Sequence, residues 1–147
     1  MELELKTSSL DTYVAANRIT LTQEEAAETI VPDYCPDIAR IITTEGSMCI
    51  HSRDLREGRG CVSGTVRVTV LYVPDGEGGI RTLGFSMPFT AESEGRALTD
   101  CAHFTVFTEI EALETRVLNP RKVFTHCKLV LRLTGYRRAQ LTVCSDV

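Results

Sequence analysis

From Cys61 onward the chain alternates, with Val62, Gly64, Val66, Val68, Val70 and Tyr72 on one side and Ser63, Thr65, Arg67, Thr69 and Leu71 on the other. A period of two with β-branched residues on one face predicts a half-buried strand. The run stops at Val73-Pro-Asp-Gly-Glu-Gly-Gly79, where proline sets a turn's φ and the glycines allow positive φ, and it resumes at Ile80-Arg-Thr-Leu-Gly-Phe85. This is the pattern of a β-hairpin. Two more alternating runs follow: Phe104, Val106 and Ile110 on one side of residues 102–113, and Cys127, Leu129, Leu131 and Leu133 set against Lys128, Val130, Arg132 and Thr134. Between them, Val117-Leu-Asn-Pro-Arg-Lys122 reads as a turn, because Pro120 cannot donate to a ladder. Neighbouring antiparallel strands are expected on either side of it.

The first third is less regular. A strand is expected near Tyr13–Leu21, and a Thr22-x-x-Glu25 capping box before the acidic, alanine-rich stretch Glu24–Thr29 predicts one or two helical turns. Proline excludes the helical region for the residue before it, so Val31-Pro-Asp-Tyr-Cys-Pro-Asp-Ile38 is extended ahead of Pro32 and Pro36. Ile38, Ile41 and Ile42 fit either a short helix from Pro36 or a strand running toward Ile50, and period alone does not separate the two. No ten-residue helical pattern lies between strands, which argues against parallel βαβ units. The expected fold is all-β and mainly antiparallel, a β-sandwich or open barrel of about six to eight strands with one short helix near the N-terminal third. Residues 1–28 are expected as a strand and short helical segment packed on a β domain of residues 29–147, a single domain overall.

Composition narrows the function classes. With 147 residues and 43% apolar content, the chain has the profile of a folded protein with one core of its own. Sixteen Lys and Arg against twenty Asp and Glu give a net charge of −4, so no global field gathers nucleic acid. No apolar run approaches the roughly 18 residues of a membrane span, and Met1–Lys6 lacks the basic and apolar regions of a signal peptide. The expectation is a protein that stays in the cytosol without membrane insertion. Cys35, Cys49, Cys61, Cys101, Cys127 and Cys144 form no C-x-x-C pair and no Cys/His cluster at metal spacing, and they are expected to be reduced.

Catalytic patterns are missing. His51, His103 and His126 are scattered without H-E-x-x-H, and no serine sits in a G-x-S-x-G elbow. The Gly76-x-Gly78-Gly79 cluster lacks the Gly-Lys-Ser/Thr ending of a phosphate loop. Alternation places Glu109 and Glu111 on one solvent-side face, whereas a glycosidase pair must flank a bond across a cleft. No catalytic residue, metal or cofactor is expected. Arg121-Lys122 and Arg137-Arg138 are too small for a nucleic-acid footprint, and charges of this kind guard strand ends.

At Thr29-Ile-Val-Pro-Asp-Tyr-Cys-Pro-Asp-Ile-Ala-Arg-Ile-Ile42 the chain resembles the V-P-D-x-x-P-D-I-x-x-I-L opening of the SPOCS domain of clostridial SipL-type spore coat and spore morphogenesis proteins. Gly64-Thr-Val-Arg-Val-Thr-Val-Leu-Tyr-Val73 resembles that family's G-x-V-x-V-x-V-L-Y-V strand, Met87-Pro88-Phe89 its P-F element, and Leu118-Asn-Pro-Arg121 its L-N-P-R turn. These elements stand in register across about residues 29–135. The resemblance implies a non-catalytic module of spore coat or envelope assembly, often in tandem and ending in a LysM domain, located in the mother cell at the forespore surface. Its implied partners are coat or morphogenetic proteins, with self-association through sheet edges. No LysM segment and no second V-P-D or L-N-P-R motif is visible, and the ending Leu141–Val147 points to an N-terminal piece of a longer protein.

Most motif residues fix turns or build core. The exposed candidates for partner binding are Asp33, Tyr34 and Asp37 in the Pro-braced loop and Arg121 and Lys122 beside the last turn. The alternative function is a carbohydrate-binding β-sandwich, for which Tyr13, Tyr34 and Tyr136 are the available stacking rings in a chain without Trp. An enzyme with a site assembled in space is the third class.

Overall fold

In the computed structural model, which describes residues 6–145, the alternation at Val62–Tyr72 runs through the middle strand of a sheet. Six strands follow in order: β1 (Lys6–Ile30), β2 (Ile38–Arg56), β3 (Arg59–Pro74), β4 (Arg81–Glu92), β5 (His103–Asn119) and β6 (Lys122–Ser145). They form two three-stranded antiparallel sheets, ordered β1-β6-β5 and β2-β3-β4. Every second residue of β3 from Val62 to Tyr72 is buried. So are Leu83, Met87, Phe89 and Ala91 of β4, and from the other sheet Val123, Cys127, Leu129, Leu131 and Leu133 of β6 and Phe104 of β5. These two inner faces form one core, as expected of an antiparallel sandwich.

The helix expected within Glu24–Thr29 is absent, and no helix occurs among the described residues. Those residues belong to β1, which runs through position 28 as one strand paired with β6 up to Ile30↔Lys122. Cross-strand pairing overrides the local preference. Ala27 packs inward on the core, while Glu24 faces His126 at 3.9 Å and Glu28 meets the Lys122 ammonium at 2.7 Å. The open choice after Pro36 resolves as strand, since Ile38 to Arg56 pair with β3 and only Ile38 within β2 is fully buried. β2 is an edge strand interrupted by three register shifts, which blunt an edge against unwanted pairing.

The sandwich has two poles. At one, the segment between β1 and β2, the β5–β6 turn and the β3–β4 hairpin tip come together. At the other, the β2–β3 turn places Glu57 and Gly58 at positive φ (50° and 79°), and the β4–β5 loop folds across the end. Leu98 of this loop is fully buried and plugs the core, held by Leu98 N–H donating to Gly58 O at 2.9 Å. Close approach requires glycine beneath it: a Cβ on Gly60 would lie 2.7 Å from Leu98 Cδ1, and one on Gly135 2.8 Å from Leu98 Cδ2.

Past the second pole the sheet narrows. β5 begins opposite Tyr136, so beyond that row β1 and β6 continue, among the described residues, as a two-stranded ribbon, Lys6–Ala15 against Tyr136–Ser145. A register shift between Ala15 and Asn17 marks where the ribbon begins.

Candidate functional site

Pro32 and Pro36 hold the segment after β1 extended, and Cys35 N–H donates to Pro32 O at 2.9 Å, so Asp33 and Tyr34 stand at the corners of a β-turn. A loop of this kind leaves carbonyls needing partners. The turn between β5 and β6 supplies them from 84 to 90 positions away in sequence. One terminal nitrogen of Arg121 donates to Cys35 O at 2.6 Å and Asp37 Oδ1 at 3.1 Å, and the other donates to Val31 O at 3.0 Å and Pro32 O at 2.8 Å. The planar guanidinium fork suits this geometry, in which four acceptors lie around one side chain.

Backbone bonds complete the clasp. Val31 N–H donates to Arg121 O at 2.8 Å and Ile38 N–H to Pro120 O at 2.9 Å, while Asn119 Oδ1 accepts from Arg121 N–H at 2.8 Å. Asp75 N–H donates to Asp37 O at 2.8 Å, tying in the β3–β4 hairpin. From beneath, the Tyr72 hydroxyl donates to Pro36 O at 3.1 Å, and burial pushes this phenol above its usual range. Val31 and Ile38, buried at 1% and 3% exposure, anchor the segment at both ends.

The five residues singled out from sequence therefore separate. Asp37 and Arg121 meet as a half-exposed ion pair, with the guanidinium turned inward on the loop. Lys122 is directed to Glu28 across the β1–β6 pair. Asp33 and Tyr34 project from the braced turn, and Tyr34 is 88% exposed. Ile30, Val117 and Leu118, exposed large apolar residues at the ends of β1 and β5, lie at the same pole. Of the three tyrosines read as stacking rings, Tyr34 is at this pole, while Tyr13 and Tyr136 lie together at the base of the ribbon.

The remaining chemistry is distributed over the sheets. His51 Nε2 lies 2.7 Å from Thr65 Oγ1, and Glu109 and Glu111 pair across β5–β6 with Arg132 at 3.0 Å and Lys128 at 3.5 Å. Cys127 is buried, its thiol raised above the ordinary 9.0 chiefly by burial, while Cys35, Cys61 and Cys101 are half-buried and Cys49 is exposed. Cys144 lies outside the residues whose side chains are described. Among the described residues no group of three or more His, Cys, Asp or Glu is placed to hold a metal ion, and no helix is long and apolar enough to cross a membrane.

Sequence reading identified the loop and the turn without their connection. Asn119, Arg121, Val31 and Tyr72 form one bonded unit whose acceptors are mostly main-chain carbonyls, and carbonyls leave no mark in a sequence. The only signal was that two Pro-containing motifs each ended in a charged residue of opposite sign, Asp37 and Arg121. The family model described as SipL, SPOCS domain, matches residues 37–118. No curated protein and no solved structure matches the chain.

Proposed function

The chain belongs to the SipL SPOCS-domain family, and from that premise we propose that it is a non-catalytic assembly module of the spore coat or envelope, working in the mother cell at the forespore surface. It associates with further copies of itself and with coat or morphogenetic proteins. The observation that carries this reading is the ribbon. By alternation, Leu10, Thr12 and Val14 of β1 and Arg137, Ala139 and Leu141 of β6 continue the inner face of their sheet past the end of the opposing sheet. Leu10 and Leu141 are cross-strand partners, exposed at 54% and 51%. An isolated two-stranded ribbon is marginal in water, and one that carries a leucine pair on an uncovered face gains stability by packing against a partner.

Both ribbon edges also offer unpaired backbone groups. β5 begins at His103, opposite Tyr136, so among the described residues the β6 edge beyond Tyr136 is open to strand addition, as is the outer edge of β1. The exposed Ile30, Tyr34 and Leu118 at the clasped pole provide apolar surface at the opposite end of the same module.

Light scattering across concentration, with and without reductant, tests the reading. Association that grows with concentration, survives reductant and is lost in Leu10→Arg supports assembly through the ribbon. A monomer at all concentrations, or association unaffected by Leu10→Arg and Leu141→Arg together, overturns it.

A further inference from the structure

The opposite face of the ribbon's base carries a different surface. Tyr136 has Ala15 of β1 and His103 of β5 as its two cross-strand neighbours, and Tyr13 sits two pairs further out, opposite Arg138. In regular register Tyr13 would share the inward face with Asn17. The shift between Ala15 and Asn17 moves it outward, onto the face that holds Tyr136 and His103. Bulges that re-aim a side chain are found beside functional sites. Here the result is a shallow depression of about 520 Å³ lined by Tyr13, Ala102, His103 and Tyr136.

Planar polar groups border it on the same face. Arg138 Nη2 donates to Asp11 Oδ2 at 3.0 Å, and Gln140 Nε2 to Asp11 Oδ1 at 3.4 Å, so the three form a small network that starts opposite Tyr13 and ends at the next same-face pair, Asp11↔Gln140. Rings that offer flat apolar faces beside amide, carboxylate and guanidinium groups match a ligand with one C–H face and a margin of hydroxyls. Asp11 and Arg138 compensate each other, which favours an uncharged ligand. The protein's net charge of −4 disfavours a polyanion.

We infer that Tyr13, Tyr136 and His103, with Asp11, Arg138 and Gln140 at their margin, form a binding site for a neutral oligosaccharide of pyranose units. The site is on the ribbon face opposite Leu10 and Leu141, so glycan binding and assembly use different surfaces and fail independently.

Calorimetric titration of the full chain with chitotetraose and with cellotetraose tests the inference. Saturable binding to at least one of them is expected, with a Kd in the roughly millimolar range suited to a shallow site. Tyr13→Ala is expected to weaken it at least about fivefold, because a stacking wall is lost. Tyr13 is 58% exposed, so this variant keeps the fold, which an unchanged urea midpoint verifies. Arg138→Ala should weaken binding too, while Tyr34→Ala and Leu10→Arg leave it unchanged. No saturable binding to either glycan, undiminished binding in the Tyr13→Ala Tyr136→Ala double variant, or loss of self-association in Tyr13→Ala without any glycan binding would overturn the proposal.

Discussion

Arg121 reaches across 86 positions of sequence to donate a hydrogen bond of 2.6 Å to the carbonyl of Cys35, and through this bond and its neighbours one turn holds another in shape. The structural consequence is a rigid pole, since a loop whose Val31, Pro32, Cys35 and Pro36 carbonyls are all engaged has little conformational freedom left. Arg121→Ala removes the donors while the carbonyls stay partly buried, and a loss of about 2–3 kcal/mol is expected. Arg121→Lys should recover less than half, because an ammonium cannot reproduce the fork. Asp37→Asn should cost well under 1 kcal/mol, roughly the worth of a half-exposed ion pair. Urea unfolding midpoints of the three variants check the order, and a stable Arg121→Ala would show that the clasp does not hold the fold.

The contrast between what the residues foretold and what they hid has a physical basis. Val62 to Tyr72 could be read directly because a central strand buries one face completely, and burial imposes an unbroken period of two. Glu24–Thr29 misleads because its local features favour helix, while the deciding partner, the β6 segment 123–128 that pairs with it, is about a hundred positions away. The clasp was half visible: Pro32, Pro36 and Pro120 announced turns, yet nothing local says that Arg121 bonds to carbonyls. That Tyr13 shares a face with Tyr136 depends on the one-residue register shift between Ala15 and Asn17, which leaves no signature in either strand's pattern.

The second pole depends on Leu98 in the way the first depends on Arg121. Leu98→Ala leaves a cavity at the end of the core and should cost about 2–5 kcal/mol. Gly135→Ala forces its new Cβ to within 2.6 Å of Cys101 Sγ and 2.8 Å of Leu98 Cδ2, and overpacking of this kind costs about 1–3 kcal/mol. The two changes share one space. Their combination should therefore destabilise by less than the sum of the single effects, and a double-mutant cycle on urea midpoints that returned strict additivity would place the glycine's constraint elsewhere.

Stability should fall on the alkaline side. Burial raises both the Tyr72 phenol and the Cys127 thiol above their ordinary values of 10.0 and 9.0. Each group therefore keeps its proton longer in the folded chain than in the unfolded one. Their contribution is fully present below about pH 9 and is lost as pH climbs through the unfolded and then the folded values. Cys127→Ser is a poor probe because it buries a hydroxyl, so Cys127→Ala and Tyr72→Phe are preferred. Each should lower stability at neutral pH, the first through lost packing and the second through the lost bond to Pro36 O, and each should flatten the decline above pH 9. Midpoints measured from pH 7 to 11 decide it: a decline of unchanged slope in both variants would assign the alkaline limb to other groups.

Tyr34 separates folding from association. Its ring is 88% exposed on a turn that other residues brace, so Tyr34→Ala should change the free energy of urea unfolding by no more than about 0.5 kcal/mol. A rigid exposed aromatic at the same pole as the exposed Ile30 and Leu118 is nevertheless the kind of anchor that carries much of an interface's energy. If the clasped pole takes part in assembly, Tyr34→Ala should weaken concentration-dependent association by about tenfold or more, the effect of removing one such anchor. Leu10→Arg acts at the other pole, so a contact that joins the two poles head to tail would be lost in either variant and not lost further in both. Two independent contacts would instead give partial losses that add. Light scattering on the two single variants and the double variant distinguishes these cases, and association unchanged by Tyr34→Ala would leave the braced turn outside the interface.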